Sequence, residues 1–335
     1  MTLYSYHASL EQFNPRDLLQ WAVQAEQAGF DSVFASDHLQ PWSPTQGNAA
    51  LSWSWMAAAL QATRRLAFHT ITVPGGWRYS PAVVAQAVGT LATMFPDRVP
   101  WIALGSGEAL NEAAVGSPWP DKSERNLRLL NGARSVKALL KGRQVTTSGP
   151  PALHDARIWC RPDPVPLLLG AATTPKTARW LGAWAEGLLT VGSTVEGLRD
   201  NIEAFRQGGG KGKPVYIKLD LSWAPTDKEA LVQAYANWRF NALKGSNANL
   251  QQPEQFDRCT RHFKPEDMRN HVFVSDDLNA HTQHIANCAA LGVQGIDLHH
   301  VGADQAAFIQ AFGEVVLPSL RSREKGGVPG PEVTA

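Results

Sequence analysis

Short apolar runs alternate along this chain with longer stretches whose apolar residues recur every three to four positions, the pattern of strands and amphipathic helices around a parallel sheet. Eight runs qualify as strands, at 3–6, 32–36, 67–73, 99–104, 166–170, 187–191, 215–223 and 295–299. Eight such repeats predict an α/β fold of the closed (β/α)8 TIM-barrel kind rather than an open sheet. The first helix shows the local logic. Asn14 is placed to cap it, and Pro15 takes the first helical position, where no N–H is needed. Leu18, Leu19, Ala22, Ala25 and Ala28 keep one side apolar, and Gly29 stops the helix.

Two intervals break the alternation and predict loop insertions over the barrel mouth. Residues 105–164 hold a helix at 124–141 and a Ser148-Gly149-Pro150-Pro151 break. Residues 244–264 begin with a polar run and show no clear period. The expected organisation is a single domain over 1–325 and a flexible Gly- and Pro-rich tail over 326–335.

Apolar residues make up 44% of the chain and charged ones 18%, enough to bury a large core and unlike a disordered chain. The 31 Lys and Arg against 30 Asp and Glu leave a formal charge of +1, so no basic field gathers nucleic acid or anionic lipid. No leader pattern opens the chain and no apolar run reaches membrane-spanning length, which leads us to expect a cytoplasmic protein without a membrane partner. Cys160, Cys259 and Cys288 are too far apart in sequence for a zinc or dithiol motif, and are expected to be buried or inert thiols.

Barrel active sites form at the C-terminal ends of strands, so polar residues there take priority. After the second strand comes Ser36-Asp37-His38-Leu39-Gln40-Pro41-Trp42, which groups a carboxylate, an imidazole and an indole. Histidine exchanges protons near neutral pH, although the dipeptide alone is better explained by a loop capped by Asp37 with His38 merely hydrogen-bonded. After the fourth strand, Gly105-Ser106-Gly107-Glu108 leads towards a helix and offers amides to an anion, with Glu108 as a candidate acid or a solvated first-turn carboxylate. After the fifth, Gly170-Ala171-Ala172-Thr173-Thr174-Pro175 repeats the device, with Thr174 equally suited to simple capping. His299 and His300 follow the eighth strand without partners at ligand spacing, so no metal site is expected. Trp42, Trp53, Trp55 and Trp77 fall near the mouth, and Trp42 is the best placed to wall a pocket.

Four ordered segments together say more. His7-Ala8-Ser9-Leu10-Glu11-Gln12-Phe13, Ser36 to Trp42 as written above, Trp77-Arg78-Tyr79-Ser80-Pro81-Ala82 and Gly105-Ser106-Gly107-Glu108-Ala109-Leu110-Asn111-Glu112 resemble the F420-dependent glucose-6-phosphate dehydrogenase branch of the luciferase-like oxidoreductases. Leu51-Ser52-Trp53-Ser54-Trp55, Gly116-Ser117-Pro118-Trp119-Pro120 and Leu298-His299-His300-Val301-Gly302 look closer to a sub-branch described as FMN-dependent. The resemblance implies a bacterial luciferase-like barrel. It also implies His38 as proton acceptor or stabiliser of developing charge, Trp42 as support for the intermediate and Glu108 as proton-transfer partner. It assigns Asp37, Ser106, Gly107, Thr173 and Thr174 to the cofactor, and places Ile71-Thr72 where relatives carry a non-proline cis peptide behind the ring.

Thr194 stands where sugar-phosphate dehydrogenases of the branch have a phosphate-binding lysine, Arg258 and Arg261 are approximate matches for a second cation, and Thr173-Thr174 replaces a Gly-Gly. The leading expectation is therefore an FMN-dependent oxidoreductase using hydride or oxygen chemistry. The alternative is a coenzyme F420-dependent dehydrogenase of a sugar, sugar phosphate or other alcohol, and a third reading is a non-catalytic flavin-binding protein. The implied partners are a small-molecule substrate, a flavin or F420 reductase, and, by analogy, a second copy of the chain.

Overall fold

A computed structural model of the protein describes residues 1–192, 194–243 and 247–326. The expected tail beyond Gly326 and the polar start of the second insertion at 244–246 lie outside these residues. Eight parallel strands close into a ring: β1 (Leu3–Ala8), β2 (Ser32–Ala35), β3 (Ala67–Thr72), β4 (Trp101–Leu104), β5 (Leu167–Ala172), β6 (Leu188–Val191), β7 (Val215–Ser222) and β8 (Gly295–His300). They follow sequence order around the ring, which closes where Leu3 of β1 pairs in register with Gly295 of β8. All eight predicted strands are the eight of the barrel.

Alternation along the strands sorts the core into two faces. Inside the ring, Phe34, Trp101, Ala103, Leu169 and Leu189 pack together with Ile71 and Tyr216, and His69 stacks on Trp101. Outside it, Tyr4, Tyr6, Val33, Phe68, Ile102 and Leu168 pack in the core shared with the helices. The helices begin as the sequence predicts: Asn14 Oδ1 accepts from the Arg16 amide at 2.9 Å ahead of Pro15–Gln27, and cap-proline pairs recur at Ser80-Pro81 and Thr174-Pro175.

The first insertion holds a short helix Ala109–Glu112, a long helix Lys122–Leu140 and an antiparallel hairpin of Val145–Thr147 with Leu153–Ala156. The long helix crosses the loop after β3 closely enough that a Cβ on Gly132 would meet the Pro74 carbonyl oxygen at 2.2 Å. Gly132→Ala is expected to lower stability by about 1–3 kcal/mol, read by chemical denaturation, because a backbone carbonyl cannot step aside as a side chain can. The second insertion contributes the helix Pro253–Cys259, whose Phe256 turns inward.

One expectation needs correction, and a second is narrowed. The Ile71–Thr72 peptide is not cis: both residues stay in the regular β3–β4 ladder, opposite Ala103 and Leu104, and the cis bonds among the described residues precede Pro151 and Pro164. Of the cysteines only Cys288 is buried; Cys160 and Cys259 are exposed, since both lie in insertion segments outside the core. Among the described residues no helix is long and apolar enough to cross a membrane, and no cluster of three or more His, Cys, Asp or Glu could hold a metal ion.

Candidate active site

The loop after β2 is held from below before it reaches the mouth. Ser36 Oγ accepts from the Leu10 amide at 2.8 Å and donates to the Glu11 carboxylate. Asp37 is a buried hub: it accepts from Thr72 Oγ1 at 2.9 Å and from the Tyr79 hydroxyl at 3.2 Å, and pairs with Arg78 at 3.0 Å. His38 comes next, half-buried against the Trp42 ring at 4.9 Å between centroids. Trp42 in turn meets Phe256 edge-on at 5.2 Å and lies parallel to Phe240 at 6.5 Å, so the second insertion backs the indole.

The turn after β4 supplies the opposing arm. Gly107 sits at φ +81°, a left-handed conformation that glycine adopts without strain, and a Cβ there would come within 3.0 Å of the Glu112 side chain. Glu108 begins the helix Ala109–Glu112 but does not cap it with its side chain. Burial, reinforced by the charges of Glu11 and Glu112 and opposed by Arg125, pushes its carboxyl up to about 7. Glu112 rises to about 7 as well, through burial that the Arg78 charge only partly offsets. Glu11 goes the other way. Burial disfavours its charge, but His38, His7 and the Ser36 hydroxyl outweigh that and hold it at about 2.

The same short helix ties the two arms together. Asn111 Oδ1 accepts from the amides of Leu39 and Gln40, and Asn111 Nδ2 lies 3.2 Å from His38 Nδ1. Arg78 spans the gap at a second point: its guanidinium donates to the Asp37 carbonyl at 2.9 Å, and its backbone amide donates to Glu112 at 3.2 Å. None of Glu11, Arg78, Asn111 and Glu112 was singled out by the strand-end rule. Their signal was polar types inside the four ordered segments, with Asn111 and Glu112 three and four residues beyond Glu108.

A cationic corner adjoins the anion-friendly turn. Lys122 Nζ lies 2.6 Å from Ser106 Oγ, and Arg125 reaches the Gly107 carbonyl at 3.4 Å while its guanidinium covers the Trp119 ring. Arg125 is buried, yet it has no carboxylate within ion-pair distance among the described residues. Lys122 is exposed overall, but partial desolvation and the Arg125 charge hold its ammonium below the ordinary lysine range. Thr173 and Thr174 are exposed, and Thr174 caps the following helix through the Thr177 amide. Thr194 is likewise engaged as a cap, accepting from the Gly197 amide at 3.1 Å, and Arg258 and Arg261 are exposed.

Beneath the mouth, inward positions of β1, β7 and β8 carry charge. His7 Nδ1 pairs with Asp297 at 2.6 Å, and His299 bridges Asp220 at 2.7 Å and Gln12 at 2.9 Å. Lys218 also pairs with Asp220. His299 therefore faces the barrel interior, whereas His300 faces out and stacks on Phe308. The period-two alternation of Lys218 and Asp220 with Ile217, Leu219 and Leu221 was the available sequence signal. Trp53 and Trp55 belong to the outer core, not to the pocket.

The family model described as luciferase-like monooxygenase matches residues 3–295. This chain belongs to the luciferase-like monooxygenase family. Among members similar to it, an F420-dependent glucose-6-phosphate dehydrogenase of Beutenbergia cavernae is 39% identical over 97% of this chain and 99% of the relative. A protein of the same description from Nakamurella multipartita is 36% identical over 95% and 96%. An F420-dependent secondary alcohol dehydrogenase, solved with an F420-acetone adduct, superposes with a TM-score of 0.89 at 30% identity over 96% of this chain and 99% of that one. The oxygenating constituent of a 3,6-diketocamphane monooxygenase, solved with FMN, has a TM-score of 0.68 at 16% identity over 95% and 98%, and so speaks for the fold alone. This luciferase-like protein is an oxidoreductase, and the expectation of FMN is the part of the sequence reading that its similar relatives do not support.

Proposed function

We propose that the protein is a coenzyme F420-dependent dehydrogenase that interconverts an alcohol and its carbonyl counterpart. The observation that carries the reading is the pairing of a half-buried Glu108 carboxyl, raised to about 7, with His38 and Trp42 on one braced mouth. The F420-dependent relatives support the choice of cofactor. F420, when bound, supplies the hydride exchange; the chain's task is to hold it, orient the substrate and move a proton.

The residues present fit such a group. A buried, carboxylate-free Arg125 beside Lys122, Ser106 and the Gly107 turn suits an anionic tail, with the Thr173-Thr174 turn as its neighbour. Ile71 lies under the mouth on the interior face and offers an apolar floor. Trp42 walls the substrate side, and Glu108 gives or takes the proton near neutral pH.

Titration of the purified protein with F420 and, separately, FMN, followed by tryptophan fluorescence, tests the assignment. Binding of F420 with reduction by alcohols supports it; binding of FMN without F420 overturns it. Lys122→Ala is expected to weaken F420 binding about tenfold, the worth of one charge-assisted contact, with an effect that shrinks as salt is raised.

A further inference from the structure

His38 has two ring nitrogens, and the one that holds the proton decides what the neutral ring can offer a ligand. Asn111 bears on this through the way its own amide is pinned. It is 5% exposed, and its Oδ1 accepts from the backbone N–H of Leu39 at 2.8 Å and of Gln40 at 3.3 Å. Backbone N–H groups only donate, so the amide cannot be turned over: its oxygen must face the loop, and its NH2 must face the ring. That nitrogen lies 3.2 Å from His38 Nδ1. An NH2 group brings hydrogens and no usable lone pair, so the ring nitrogen opposite it must supply the lone pair.

We propose that Asn111 is a positioning residue that fixes neutral His38 in the tautomer protonated at Nε2, so that the ring presents a hydrogen-bond donor to an oxygen bound at the mouth. Nδ1 is spoken for by Asn111, and Nε2, on the far side of the ring, is the nitrogen left for a ligand. His38 then stabilises negative charge developing on that oxygen and does not take up its proton, which falls to Glu108. An imidazolium would set Nδ1–H against the Asn111 NH2. This agrees with the low basicity of the ring, which burial and Arg78 impose against the pull of Glu11 and Asp37. The competing arrangement has the proton on Nδ1, turned away from the Asn111 amide; the backbone of Gln40 is the one main-chain neighbour that favours a protonated ring.

The proposal deepens the reading of His38 given above, but its decisive test uses the full chain without cofactor and stands apart from the identity of that cofactor. Uniform 15N labelling of histidine, with two-bond proton–nitrogen correlation spectra above neutral pH, reports the tautomer of each ring. The His38 signals are identified by their loss in His38→Gln. The expected wild-type result is an unprotonated Nδ1 and a protonated Nε2. Asn111→Asp, whose carboxylate can only accept at that position, is expected to move the proton to Nδ1. With F420 reduction as a second readout, the same variant is expected to lower kcat about 10²-fold, the loss seen when one preorganised donor to a developing oxyanion is removed. A wild-type ring protonated at Nδ1 overturns the proposal, as does an Asn111→Asp ring that stays protonated at Nε2. If Asn111→Asp does not fold, the wild-type spectrum decides alone.

Discussion

Glu108→Gln is expected to lower kcat by about 10²- to 10⁴-fold while leaving cofactor affinity within a few-fold, because the amide keeps the shape of the side chain and removes its proton transfer. Steady-state kinetics and a binding titration separate the two effects. A loss confined to KM would mean that Glu108 only holds the substrate. The variant also carries a stability signature independent of any substrate. The Glu108 carboxyl titrates near 7 in the folded protein and near 4.5 when free, so the folded state binds the extra proton between those values. Stability is fullest below the lower value and declines as the pH rises through the upper one. Glu112 behaves alike, so Glu108→Gln should remove about half of this decline, and Glu112→Gln the rest. Melting temperatures measured from pH 4.5 to 8 give the curve. A variant whose melting temperature tracks the wild type in parallel across that range would sink the assignment of a raised Glu108.

Arg78→Met is expected to be the most destabilising substitution at the site, at about 3–5 kcal/mol, the usual cost of leaving buried charge unpaired. Arg78 faces Asp37 at 3.0 Å and Glu112 at 3.6 Å, with side chains that are 0% and 1% exposed. The Glu112 contact is a loose one: Arg78 Nε and Glu112 Oε1 face each other without a hydrogen bond, and neither has another partner. Glu112 can escape its isolation by taking a proton, whereas Asp37 keeps the Thr72 and Tyr79 hydroxyls but loses its cation. The loss should therefore be smaller at pH 6 than at pH 8, and the double variant Arg78→Met/Glu112→Gln should narrow that difference. Urea unfolding at the two pH values checks both. Arg78→Lys should recover only part of the stability, since one ammonium cannot reach the Asp37 carbonyl, the Asp37 carboxylate and Glu112 in the way a guanidinium fork does.

Several site features owe their sequence legibility to strand ends. Asp37, His38, Trp42, Ser106, Gly107 and Glu108 follow directly on β2 and β4, where a barrel must place its mouth, and the tertiary structure brings them together. The partners that tune them were not legible in the same way. Arg78 follows β3 at some distance, Glu11 follows β1, and Lys122 and Arg125 lie in an insertion helix; what makes them matter is a contact with a residue well separated in sequence, between neighbouring loops or within the insertion, that no local spacing encodes. Thr174 illustrates the opposite case: its type and place allowed both capping and ligand binding, and the structure shows the capping bond in place.

The sequence by itself determined the barrel, because eight βα repeats with period-two and period-3.6 patterns have few other ways to bury their apolar faces, and it determined which loops gather at the mouth. Only the tertiary structure decided the protonation of the groups found there. Glu108 and Glu11 are both carboxylates of the same mouth, yet one rises to about 7 and the other falls to about 2, because desolvation beside like charges and hydrogen bonding beside histidines are properties of what surrounds a side chain in space.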